Sequence, residues 1–184
     1  MAPAEEDSSV SLTSRRNERG NERVRQEAPY SRDRRDRRAR RERGGLLVAG
    51  SPRVLIVDDH GPSRRALRGL LEERGVYVLA EAAGGSFAVP LSQMLEPDVV
   101  LMDLRMPGMN GIEATRRIKE VLPFTQVVIV TAYEDPLPEK SAEEAGAYAY
   151  LVKGCSPSFV ADVVRYAWRY KAGLELRAKR ALSA

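Results

Sequence analysis

Between positions 54 and 153 the chain alternates short, almost wholly apolar runs with longer stretches whose apolar residues recur every three or four positions. Runs at 54–57, 98–102, 126–130 and 147–152 finish on Asp58-Asp59, Asp103, Thr131 and Lys153, and a further run lies at 76–80. Near-continuous apolar runs of this length predict strands buried on both faces, as in a parallel sheet covered by helices.

The intervening stretches predict helices. Gly61-Pro62 precedes Leu67, Leu70 and Leu71 at helical spacing, and Gly75 follows, so proline near a first turn and glycine past the last bracket one helix. A second is expected over 87–95, starting late or kinked at Pro90, because proline removes a hydrogen bond and crowds the preceding turn. Ile118, Val121 and Leu122 mark the core face of a third. A short fourth is expected over 139–145, its first turn weakened by Pro136 and Pro138. Phe159, Val160, Val163, Val164 and Ala167 give the stripe of a fifth. Five strands alternating with five helices predict an α/β fold, a doubly wound five-stranded parallel sheet of order 2-1-3-4-5 with right-handed crossovers.

Composition divides the chain of 184 residues into three parts. Residues 1–53 carry 14 arginines against 9 acids, residues 54–170 carry 12 basic against 16 acidic groups, and residues 171–184 carry 4 against 1. The body is acidic and both ends are basic. Residues 1–50, with eight arginines in the twelve positions 32–43 and no helical or strand period, read as a disordered arm. Its charge suits weak contact with nucleic acid, although interspersed acids blunt the patch and 25 arginines against 5 lysines mark a general bias. Residues 51–170 make the folded domain, and 171–184 a basic extension of the last helix or a tail. No apolar stretch approaches the roughly 18 residues of a membrane helix, no leader pattern opens the chain, and the single Cys155 offers no internal disulfide. A cytoplasmic protein without membrane insertion is the expectation.

In an open parallel sheet the crevice lies at the carboxyl ends of the strands, so Asp58, Asp59, Asp103, Thr131 and Lys153 should share one site. Three converging carboxylates raise one another's cost of ionisation and favour a divalent cation. Magnesium, which takes oxygen ligands and keeps several waters, is the expected cofactor. Asp103 opens the loop Leu104-Arg105-Met106-Pro107-Gly108-Met109-Asn110-Gly111. A phosphatase of the haloacid dehalogenase type would need a second aspartate two residues on, where this chain has Arg105.

The order and strand context of these positions resemble the receiver domain of two-component response regulators, over about residues 52–170. The resemblance implies a flavodoxin-like receiver that is not an enzyme in its own right. It would take a phosphoryl group onto Asp103 from a sensor histidine kinase or histidine phosphotransfer protein. It implies magnesium held by Asp59, Asp103, the backbone carbonyl of Arg105 and, through water, Asp58. Lys153 and Thr131 would hold phosphoryl oxygens. Thr131 and Tyr150 would form the switch, reshaping a docking face made by the fourth helix, fifth strand and fifth helix. Tyr133, two residues past Thr131, would slow loss of the phosphoryl group. His60 is expected to pack the loop and Cys155 to sit at a helix start. With too few residues after Trp168 for a helix-turn-helix, a stand-alone receiver is the first expectation. The alternatives are a regulator whose arginine arm binds nucleic acid under receiver control, and the remnant receiver of a helix-turn-helix transcription factor.

Overall fold

The computed structural model describes residues 50–132 and 136–183; the arginine-rich arm and Tyr133 lie outside them. In chain order the elements are β1 Arg53–Val57, α1 Gly61–Glu72, β2 Tyr77–Ala82, α2 Gly85–Leu95, β3 Val99–Met102, α3 Gly111–Val121, β4 Gln126–Thr131, α4 Pro136–Glu144, β5 Ala149–Val152 and α5 Pro157–Leu182. All strand pairs are parallel, as the alternation of apolar runs and helical stripes predicts, and the order is the expected β2-β1-β3-β4-β5. Reversal of direction between the first and later crossovers puts helices on both faces. The central strands are accordingly buried on both, with all four residues of β3 and all six of β4 buried. Each fully buried Val, Leu or Ile there contributes about 1.5–3 kcal/mol relative to an exposed position.

Helix ends follow local chemistry. Pro62 stands in the first turn of α1. The Asn110 side chain caps α3 by accepting the Glu113 N–H at 2.9 Å, and Ser156 caps α5 by accepting the Phe159 N–H at 3.3 Å.

Several elements differ from the sequence reading. The second helix starts earlier than expected, at Gly85, and runs through Pro90. Pro90 is exposed, and the missing hydrogen bond falls in the helix's second turn, close to an end that lacks partners in any case. Val121 was expected in the core face of α3 but is 44% exposed. The buried stripe runs Gly111, Ala114, Thr115 and Ile118, with Leu122 packed against the core, and Val121 falls off that line. The fourth helix begins on Pro136 rather than after the prolines, since a first-turn proline has no hydrogen bond to lose. The second strand lies at 77–82 rather than 76–80; a register shift between Val54 and Leu55 skips Leu79, so the five residues of β1 span all six of β2.

The fifth helix has 26 residues, about 39 Å at 1.5 Å per residue. Its last fully buried side chain is Ala167. One turn on, the Lys171 ammonium pairs with Asp98 at 2.9 Å, beside the amino end of β3. From there the helix runs on to Leu182.

Candidate functional site

The parallel register places the carboxyl ends of β1, β3, β4 and β5 along one edge. Val57 pairs with Met102, Met102 with Ile129, and Thr131 with Val152, so the residues that follow or end these strands are neighbours. Backbone bonds lock them there: the Asp58 N–H donates to Ala82 at 3.1 Å, the Asp103 N–H to Val57 at 2.7 Å, and the Lys153 N–H to Thr131 at 2.6 Å.

Onto this edge the strands bring the expected charges. The Lys153 ammonium lies 2.7 Å from Asp58 Oδ2 and 3.1 Å from Asp103 Oδ1, bridging the two buried carboxylates. Asp59 is exposed, and one oxygen each from Asp58, Asp59 and Asp103 lie within 4.8 Å of one another. Asp58 is further held by the His60 N–H, which donates to Asp58 Oδ1 at 2.7 Å. Burial pushes the Asp103 carboxyl up from the ordinary carboxylate value; Lys153 pulls it down, and the charges of Asp58 and Asp59 push it up again, for a net rise. Burial draws the Lys153 ammonium down, but its bonds to Asp58 and Asp103 outweigh that and leave it raised.

Thr131 is fully buried at the end of β4. Tyr150, opposite Ile129 on β5, is half-buried against the core. Arg105 is exposed in the loop after β3 and lines a groove with Asp59, Leu104, Pro107, Asn110 and Ile112. His60 caps nothing with its ring but accepts the first-turn N–H of Arg64 through its carbonyl, and its Nδ1 lies 2.7 Å from Ser63 Oγ. Cys155 stands just before the Ser156 cap of α5, at a helix start as expected.

Two contributors escaped the sequence reading. Gly111 abuts the acceptor loop so closely that a Cβ there would lie 2.2 Å from the Asp103 carbonyl oxygen. Arg64 reaches from α1 to the Asp58 carbonyl at 2.5 Å and to Glu81 at 3.2 Å. The glycine signal was present in the loop motif. The arginine contact joins segments whose proximity depends on strand pairing, which one-dimensional periodicity does not carry.

The donor set suits a hard divalent cation: it consists of oxygens alone, and three carboxylates face the Lys153 ammonium.

Fold and site together are those of the response regulator receiver domain family, to which this chain belongs: the family model matches residues 54–165. The chain is similar to the transcriptional regulatory protein LiaR of Bacillus subtilis, 40% identical over 124 residues that cover 67% of this chain and 59% of LiaR. It is 42% identical over 114 residues to the response regulator UvrY of Escherichia coli, covering 61% of this chain and 52% of UvrY. It thus spans somewhat over half the length of these relatives. Among solved structures, a LuxR-family two-component response regulator from Aurantimonas sp. SI85-9A1 matches with a TM-score of 0.62 and 36% identity, over 65% of this chain and 86% of that one. The receiver domain of the putative response regulator NarL from Mycobacterium tuberculosis matches with a TM-score of 0.62 and 29% identity, over 65% and 98%. Among the described residues no helix is long and apolar enough to cross a membrane.

Proposed function

We propose that this chain accepts a phosphoryl group on Asp103 from the phosphohistidine of a sensor kinase or phosphotransfer protein, and that the resulting charge switches a protein-docking face. The observation that carries the reading is the Lys153 ammonium set between Asp58 and Asp103 at the shared strand edge. An Asp103 carboxylate oxygen forms the bond to phosphorus while the donor's phosphorus–nitrogen bond breaks, and the electron pair leaves on the imidazole nitrogen, which takes up a proton. Such transfer passes through a loose transition state with charge spread on the equatorial oxygens, so position and electrostatics do most of the catalysis. Lys153 pairs with one of those oxygens, giving up part of its hold on Asp103. The Thr131 hydroxyl takes another.

Asp59 and Asp103, with the Arg105 carbonyl and Asp58 through water, would hold the magnesium ion. When bound, the ion supplies positive charge that offsets the acid cluster and the phosphoryl oxygens. Phosphorylation adds about two negative charges at Asp103. Thr131 turns toward them and Tyr150 follows into the space released, which alters the face formed by α4, β5 and α5 where the downstream protein docks.

The test is intact mass after incubation with acetyl phosphate and magnesium, for the chain and for Asp103→Asn. One phosphoryl group gained, and absent in the variant, is expected; no gain, or a gain that persists in the variant, overturns the reading.

A second reading, a regulator that also contacts nucleic acid through its arginine-rich arm, is favoured by the transcriptional role printed in the name of LiaR. Binding to duplex DNA that weakens with salt and is lost on deleting residues 1–45 would establish it; wild-type-like binding by the deletion would exclude the arm.

A further inference from the structure

Asp58 is held from three directions. Its Oδ1 accepts the His60 N–H and its Oδ2 the Lys153 ammonium, both at 2.7 Å. Its carbonyl accepts the Arg64 Nη1 at 2.5 Å. That carbonyl belongs to the peptide joining Asp58 to Asp59. Its plane fixes where the exposed Asp59 side chain leaves the backbone.

The Arg64 guanidinium is itself fixed. Its Nε donates to Glu81 Oε2 at 3.2 Å, and its side chain is only 18% exposed. Arg68 lies one turn on, donating to Glu81 Oε1 at 2.6 Å and to Glu72 at 2.9 Å. Glu81 stays ionised below its ordinary pKa, first through Arg68, against the opposing effect of burial, and then through Arg64. Both arginines tie α1 to β2 through Glu81, and Arg68 also reaches the Val78 carbonyl; what Arg64 has and Arg68 lacks is the grip on the Asp58 carbonyl. Only a guanidinium spans both acceptors, since its donors diverge from a rigid plane, whereas a lysine presents a single point charge.

We infer that Arg64 is a positioning residue for the acid cluster: by fixing the Asp58–Asp59 peptide it sets the affinity of Asp58, Asp59 and Asp103 for a divalent cation. This rests on the proposed reading of that cluster as a magnesium site. The positioning role has a sign opposite to the charge effect. A cation beside the cluster repels the incoming metal, so on Coulomb grounds alone removing Arg64 tightens magnesium binding and Arg64→Lys leaves it unchanged. Positioning makes both variants weaker.

The experiment is calorimetric titration of the full chain with magnesium chloride, for wild type, Arg64→Met, Arg64→Lys and Arg68→Met, with thermal midpoints recorded alongside. Loss of a group that orients a metal ligand costs about tenfold or more in affinity, and that is expected for both Arg64 variants. Arg68→Met should lower the midpoint while leaving affinity within about twofold, well short of that tenfold effect. Unchanged or tighter binding in the Arg64 variants, equal weakening in Arg68→Met, or no binding by the wild type overturns the inference. The readout does not pass through phosphoryl transfer. A wild type that binds magnesium yet gains no phosphoryl group therefore overturns the phosphorylation reading alone, and the comparison of variants still decides the role of Arg64.

Discussion

Asp103 is placed at a cost to the fold. Its folded-state pKa is raised, chiefly by burial, so it contributes stability below the ordinary carboxylate value, and that stability is lost as pH rises through its own raised value. Asp103→Asn removes the buried charge. In the absence of divalent cations it should raise the thermal midpoint at neutral pH, with the gain shrinking as pH falls through the carboxylate range; a neutral-pH midpoint below wild type would contradict this. Gly111 acts by size. A Cβ would lie 2.2 Å from the Asp103 carbonyl oxygen and 3.0 Å from Leu104 Cα, both backbone atoms that can yield only by moving the acceptor loop. Gly111→Ala is expected to cost about 1–3 kcal/mol in a denaturant titration, and to slow phosphoryl uptake at saturating magnesium as well. Uptake at the wild-type rate would separate the loop's packing from its chemistry.

At the scale of elements, α5 does two different jobs along its length. Its first half buries Val160, Ala161, Val163, Val164 and Ala167 against the sheet, and Lys171 ends the contact by pairing with Asp98, whose other oxygen accepts the Arg53 N–H at 2.9 Å. Lys171→Met should cost about 1.5–3 kcal/mol, the value of a hydrogen bond to a charged group, because Asp98 would be left largely buried with one partner gone. Removing everything from Leu174 onward should cost under about 1 kcal/mol, since surface changes away from packed features rarely exceed half that. A larger loss in melting experiments would mean that the extension packs on the domain. The helices also show where local rules carry less than the whole. Pro90 argued for a late start to α2, yet the helix forms because Gly85 and Ala88 pack into the core and fix it over the length of the proline's turn.

For the molecule as a whole, a ligand that binds only the folded chain stabilises it by mass action, about 2.7 kcal/mol at a hundred times the dissociation constant. Magnesium should therefore raise the midpoint in proportion to the logarithm of its concentration, and Asp59→Asn should flatten that dependence; equal slopes would remove Asp59 from the cation site. The alternation of apolar runs with helical stripes was enough to establish a parallel sheet between helix layers, because a parallel strand pair needs a right-handed crossover; the strand order came with the resemblance to receiver domains. The polar residues at the ends of those runs were equally legible, since a charged side chain directly after a buried strand can go only to the crevice edge. The bridge made by Lys153, the place of Arg64 and the fit of Gly111 were not. Lys153 lies 95 residues from Asp58, and Glu81 17 residues from Arg64. Such contacts exist only once crossovers bring distant strand ends within about 3 Å, the reach of a hydrogen bond. Sequence by itself determined which groups arrive at the edge, through the periods of burial; only tertiary structure decided which of them touch, because distance and orientation are properties of the packed sheet and its helices, and periodicity along a chain contains neither.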